Sequence, residues 1–244
     1  MIRTKKIFNL IKICEIYYES RDVVIDALKS DHHSVRIFSY EKLDLPKEYL
    51  LRRVKKTTRI VLKDKTKEDI FPMFKKNYRN EINKTYKDDC YRVEIVEGFS
   101  DKGYSLYSEF ENYSKRRPIK RKEGKGVWAL GYIDGELVSG IFFINALPVL
   151  KVISIFSLRK RKEIEYQKKV GYVSKRLILE ACYFGKEKKI DFVDLAYINQ
   201  IDPSKAGITA YKLGFGGDVV DEYIYERDTR KINFFKWLRK KIDV

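Results

Sequence analysis

Between residues 170 and 225 the sequence changes its hydrophobic period three times, and that alternation restricts the chain to helices layered on a sheet. Val170, Val173, Leu177, Ala181 and Phe184 recur three or four residues apart and mark one face of a helix. Residues 190–197, Ile-Asp-Phe-Val-Asp-Leu-Ala-Tyr, are apolar enough for an inner strand. A polar turn follows, with Asn199, Gln200, Asp202 and Ser204, then a helical stretch from Ala206 and a strand-like run over 218–225. Ligands of open α/β sheets collect beyond strand carboxyl ends, so the turn at Asn199 is expected to face the chemistry. Lys168 and Lys169 stand just before the predicted start of the first helix, and Gly171 would allow close approach. Free N–H groups at a helix start beside two lysines predict a phosphate cradle that includes Tyr172; a solvated basic turn explains the same residues.

Upstream, residues 57–63 read as a strand rich in β-branched side chains. Asp64 or Thr66 would cap a helix on which Ile70, Phe74, Tyr78, Ile82 and Tyr86 recur every four residues, with Lys75, Lys76, Arg79, Lys84 and Lys87 on its other face. Residues 91–97 alternate as a strand, and Ser100 caps a helix carrying Tyr104, Tyr107, Phe110 and Tyr113. A basic loop over 115–126 leads to two strands around Asp134-Gly135, a two-residue hairpin signal, and a third antiparallel strand over 148–157. With the strand over 91–97 set between the two helices, the order is a strand and two helices, then three strands, helix, strand, helix, strand. The expected class is α/β, with a mixed, mostly antiparallel sheet flanked by helices.

The charge balance, 52 Lys and Arg against 35 Asp and Glu, leaves a net +17 and points to anionic partners. Cys14, Cys90 and Cys182 form no CxxC pair, and His32 and His33 are the two histidines, so neither a metal site nor a disulfide is expected. No apolar run reaches the ~20 residues of a membrane span, which predicts a cytoplasmic protein. Near the end, Ile232, Phe235, Leu238 and Ile242 make one apolar face beside Phe234 and Trp237, with Lys236, Arg239, Lys240 and Lys241 around it. This pattern suits either a docked helix or an interfacial helix on the anionic inner face of a membrane. Three segments are expected: 1–56, an appendage with short strands or an apolar helix turn over 7–13 and 34–40; 57–227, the main domain; and 228–244, the basic amphipathic helix.

Residues 211–220, Tyr-Lys-Leu-Gly-Phe-Gly-Gly-Asp-Val-Val, resemble the helix-to-last-strand segment of the Fem-type aminoacyltransferases that build peptidoglycan cross-bridges, a group within the GNAT superfamily of N-acyltransferases. Arg79, Ile82 and Lys84 are similar to the same group's first-helix pattern, and the likeness spans about residues 57–227. The acetyl-CoA signature of GNAT enzymes is degenerate here: Gln167 is followed by Gly171, one place late. Tyr211 likewise sits one place later than the usual GNAT tyrosine. The resemblance implies a sheet splayed between its fourth and fifth strands, with the donor in the cleft, and it singles out Lys212 for the reaction.

The expected function is transfer of an acyl group from acetyl-CoA or another acyl-CoA, alternatively from aminoacyl-tRNA, to an amine on a cell-envelope or surface-polysaccharide precursor, lipid-linked or nucleotide-linked. No metal takes part in that reading. Tyr211 would be the leaving-group acid, and Asp194 or Asp191 would take the amine proton through water. Lys168, Lys169, Gly171 and Tyr172 would hold the donor; Arg79, Lys84 and Asn199 would hold the acceptor. The alternative is a non-enzymatic basic nucleic-acid-binding protein, for which charge speaks but no known binding motif does.

Overall fold

A computed structural model describes residues 1–7, 11–29, 32–121, 124, 126–158, 163–230 and 232–233. In chain order the elements are β1 (Ile2–Ile7), β2 (Ile11–Tyr17), α1 (Arg21–Leu28), β3 (Ser34–Ser39), β4 (Leu50–Val61), α2 (Lys67–Met73), α3 (Lys76–Lys87) and β5 (Tyr91–Gly98). They continue with α4 (Asp101–Tyr113), β6 (Gly126–Ile133), β7 (Glu136–Ala146), β8 (Val149–Ser157), α5 (Ile164–Glu187), β9 (Phe192–Tyr197), α6 (Ala206–Leu213) and β10 (Asp218–Asp228). Two compact units result: Thr58–Val219, and Met1–Thr57 together with Val220–Val244. Most of the last strand therefore clusters with the N-terminal residues.

In the larger unit the strand order is β4-β9-β8-β7-β6-β5. Strands β5 to β8 are antiparallel neighbours, whereas β9 runs parallel to β8. This is the mixed, mostly antiparallel sheet that the sequence predicts. Asp134 and Gly135 both take positive φ, 50° and 79°, so the β6–β7 link is the tight turn whose twist suits a hairpin. Val127, Ala129, Ile141, Phe143, Leu150 and Val193 bury one face of the sheet against Leu177, Ile178 and Ala181 of α5. On α4, Tyr107 packs edge-on to Trp128 and Phe156, and Trp128 stacks on Phe142.

The long helix expected from Ile70 to Tyr86 is broken into two. Thr66 and Asp69 close a capping box at the start of α2, but Phe74 turns extended (φ −72°, ψ 146°) before α3 begins. Pro72 lies in the last turn of α2, where helices commonly stop. The period of four continues through the break because Phe74 and Tyr78 still pack on one side, against Phe215.

In the smaller unit β1 and β2 are antiparallel, β2 and β3 parallel with α1 between them, and β3 and β10 antiparallel. Cys14, Ile16, Val24, Val35, Ile37, Tyr49 and Tyr225 form its core. Of residues 7–13, expected as short strand or helix turn, Ile7 ends β1 and residues 11–13 begin β2, while 8–10 lie outside the described residues. The C-terminal amphipathic helix expected over 228–244 lies mostly outside the described residues, as does the basic run 159–162.

Candidate active site

Two strands of the larger unit each carry one charge in an otherwise apolar inner run: Lys151 on β8 and Asp194 on β9. A charge taken out of water must be paired, and the parallel register sets these two directly opposite each other. Lys151 Nζ donates to Asp194 Oδ2 at 3.0 Å, with side-chain exposures of 10% and 0%. The other oxygen, Oδ1, accepts the Ala196 N–H at 2.6 Å, and Ala196 takes the left-handed φ of 63°. The β8–β9 ladder covers Val149–Lys151 against Phe192–Asp194, so the pair stands at its end.

Lys212, on α6, is brought to the carboxyl end of the same strand. Its side chain is buried, and Nζ donates to the Tyr197 carbonyl at 2.8 Å. Burial pulls the ammonium down to about 8; Asp194 partly offsets this and Lys151 adds to it. Asn199 shapes the loop beyond: its Oδ1 accepts the N–H groups of Ile201 and Asp202 at 3.0 and 3.1 Å, and its carbonyl accepts from Thr209 Oγ1 at 2.9 Å. The polar turn at Asn199 is thus a built loop end rather than an open polar stretch.

Tyr211 points the other way. Its hydroxyl donates to the Ser174 carbonyl of α5 at 3.2 Å, and burial pushes the phenol up. The ring packs against Phe215 and Tyr78, whose own hydroxyl donates to the Tyr211 carbonyl at 3.1 Å. The glycines that follow answer to packing. A Cβ on Gly214 would meet the Tyr78 ring at 2.3 Å, and one on Gly216 would meet the Met73 carbonyl oxygen at 2.1 Å.

A second locus is an open depression of about 450 Å³ lined by Glu81 of α3 and by Ile164, Gln167, Lys168, Gly171, Tyr172 and Lys175 of α5. Lys84 lies 5.0 Å above the Tyr172 ring, and Lys175 pairs with Glu81 at 2.7 Å. The structure therefore gathers Lys168, Gly171, Tyr172 and Lys84. It does so without a helix N-terminus: α5 starts at Ile164, six residues before the expected start, and the Gln167 N–H already bonds to the Glu163 carbonyl. From Lys168 onward the backbone N–H groups belong to the helix interior, so the expected phosphate cradle at residue 170 is corrected to a side-chain-lined groove. Lys168 pairs with Glu165 at 2.7 Å, and Lys169 is exposed without lining the depression.

Arg79 joins neither locus. Its guanidinium donates to the carbonyls of Pro72 and Phe74 at 2.8 and 2.7 Å and closes the open end of α2. Asp191 serves through its backbone, where its carbonyl accepts the Leu62 and Lys63 N–H groups. Lys151 was not among the expected site residues although a signal was present: a lone cation in an inner strand implies a buried anion, and the run over 190–197 offers Asp191 and Asp194. Among the described residues no group of three His, Cys, Asp or Glu side chains is placed to hold a metal, and no helix is long and apolar enough to cross a membrane.

No family model and no curated protein matches the sequence. Solved structures do match in fold. FemX is 12% identical, with 96% of this chain covering 85% of that one at a TM-score of 0.59. The C-terminal domain of a protein described as a lysylphosphatidylglycerol synthetase from Agrobacterium fabrum is 9% identical, with 94% and 81% covered and a TM-score of 0.52. L-PGS from Bacillus licheniformis is 10% identical, with 98% and 84% covered and a TM-score of 0.50. The chain shares the fold of these proteins, and the likeness agrees with the Fem-type resemblance of residues 211–220 and extends over the N-terminal residues as well.

Proposed function

We propose that the chain is an N-acyltransferase of the GNAT and Fem type, moving an acyl or aminoacyl group from an activated thioester or ester to an amine. The observation that carries this reading is Lys212, a buried amine fixed at the carboxyl end of β9 with its proton held at about 8. In the transfer the acceptor nitrogen attacks the donor carbonyl, an oxyanion forms, and the bond from carbon to the sulfur or oxygen of the leaving group then breaks. The proton lost by the amine balances the one gained by the leaving group. Below about pH 8 Lys212 carries a positive charge in a low-dielectric setting, where a cation stabilises an oxyanion far more than in water.

The donor would enter where the β8–β9 ladder ends at Lys151 and Asp194. Asp194 has a partner on each oxygen, so its role in this reading is electrostatic rather than that of a free base. Tyr211 in the observed rotamer braces α6 against α5; protonation of the leaving group would require its hydroxyl to leave the Ser174 carbonyl. Lys84, Lys168, Gly171 and Tyr172 offer cations, an aromatic face and open space to a phosphate-bearing substrate. Acyl-CoA and aminoacyl-tRNA are both compatible donors. The charge of +17 and a fold shared with a lysylphosphatidylglycerol synthetase domain favour keeping the aminoacyl donor. The acceptor amine would belong to an anionic envelope precursor.

The test is transfer from acetyl-CoA and from aminoacyl-tRNA to a panel of amine acceptors, with wild type and Lys212→Met at pH 7. Loss of one preorganised oxyanion partner should lower kcat by about 10²–10³-fold with the melting temperature held or raised. Undiminished turnover in Lys212→Met would remove the residue from the chemistry. Salt-sensitive binding of duplex DNA without any transfer would instead favour the nucleic-acid-binding alternative.

A further inference from the structure

We propose that Lys151 is a positioning residue of this site: by holding the Asp194 carboxylate it keeps that carboxylate from pairing with Lys212, whose ammonium is left directed at the Tyr197 carbonyl. The reading rests on Lys212 being the reacting group proposed above. Its geometry is independent of any substrate.

Three charges from three elements meet around the end of β9. Lys151 comes from β8, Asp194 from β9 and Lys212 from α6, and among the described residues Asp194 and Lys151 are the charged groups within electrostatic reach of Lys212. Asp194 is wholly buried, so its charge is stable only with partners, and Lys151 supplies one at 3.0 Å. Without Lys151 the carboxylate would draw more strongly on Lys212, a cation within its electrostatic reach. Lys212 would then sit in an ordinary ion pair, its hydrogen bond of 2.8 Å to the Tyr197 carbonyl would be given up, and its charge would be neutralised where the reaction needs it. The left-handed turn at Ala196, which gives Asp194 Oδ1 its backbone partner, fixes the carboxylate on the Lys151 side. The arrangement is a selector: one lysine is spent on the buried anion so that the other keeps an unneutralised amine.

The experiment follows the Lys212 side chain by NMR titration of lysine-labelled protein, assigned by the signal lost in Lys212→Arg. It needs neither donor nor acceptor, so its failure and the failure of the acyltransferase reading are separate results. Lys151→Met should move the Lys212 titration upward by about one unit or more, as an opposite charge beside an amine does. Asp194→Asn should move it downward, because the negative charge that favours the Lys212 ammonium is removed while Lys151 stays. The double variant should return close to wild type, and Lys151→Arg should preserve it. If Lys151→Met does not fold, Asp194→Asn and the double variant decide the matter. A Lys212 titration that Asp194→Asn leaves in place, or that moves the same way in both single variants, would overturn the proposal.

Discussion

Lys212 is held where burial, helped by Lys151, outweighs Asp194, and this has a consequence for stability that can be measured apart from catalysis. Its proton is bound at about 8 in the folded chain against an ordinary 10.5. Between those values the unfolded chain keeps a proton that the folded chain has released, so stability rises with pH through the window from about 8 to 10.5. Below about 8 both states are protonated and the penalty for burying the charge is present in full. At 1.36 kcal/mol per unit the penalty is at most about 3 kcal/mol. Lys212→Met should therefore be more stable than wild type at pH 7, with the difference shrinking as pH is raised to 10.5, as followed by urea unfolding at successive pH values. A difference that stays level across that range would show that the folded chain does not hold Lys212 in this state. Tyr211 behaves differently: with its hydroxyl on the Ser174 carbonyl, Tyr211→Phe removes one hydrogen bond and should cost about 0.5–1.5 kcal/mol.

Among the elements, the break between α2 and α3 organises the approach of α6. Phe74 and Lys75 leave helical geometry, the Lys75 N–H then bonds to the Gly214 carbonyl at 2.9 Å, and Arg79 closes the carbonyls exposed by the break. Gly216, at φ 69° with the Met73 carbonyl oxygen 2.1 Å from where a Cβ would stand, joins a left-handed backbone to a close approach. Gly216→Ala should thus cost about 2 kcal/mol or more, combining overpacking with left-handed strain. For a chain of this size that lowers the melting temperature by roughly 4–8 °C. Gly207→Ala, where a Cβ would meet nothing within 4 Å, is the matched control and should leave melting unchanged or raise it slightly. Equal losses in the two variants would mean that the glycines of residues 214–217 are not there for this packing.

At the scale of the whole molecule, an excess of 17 positive charges gives a field that any polyanionic partner meets before it meets the site. Phosphate contacts release counterions, so an aminoacyl-tRNA donor that neutralises about 6–10 phosphates should lose roughly 10³–10⁵-fold in affinity between 50 and 200 mM salt. An acyl-CoA donor carries far fewer phosphates and should lose much less. The salt slope of donor binding, measured by fluorescence anisotropy, therefore identifies the donor class. A steep slope for CoA and a shallow one for tRNA would contradict this use of the charge. The amphipathic pattern of residues 231–242 makes a separate proposal, an anionic membrane surface that holds a lipid-linked acceptor, and flotation with anionic vesicles addresses it.

The sequence by itself determined the elements of the larger unit apart from the break between α2 and α3, because hydrophobic period, the Asp134-Gly135 turn and the Ser100 cap are local properties. Lys212 was singled out by the resemblance of residues 211–220 to the Fem-type segment, and not by any local pattern of the residues. Tertiary structure decided what pairing and burial alone can decide. The break after α2 falls just past Pro72 against an unbroken period of four, and Arg79 and the Gly214 carbonyl meet the backbone groups it exposes. The helix expected from Val170 began at Ile164, since apolar period marks the buried face of a helix and not its first turn. The N-terminal residues proved to be strands paired with each other and with β10, a pairing of residues about 190 apart in the chain that no local pattern encodes. Lys151 was visible as a lone charge in an apolar run and Asp194 as one of two acids in the next, but only the register of β8 against β9 made these two partners and left Lys212 on the Tyr197 carbonyl.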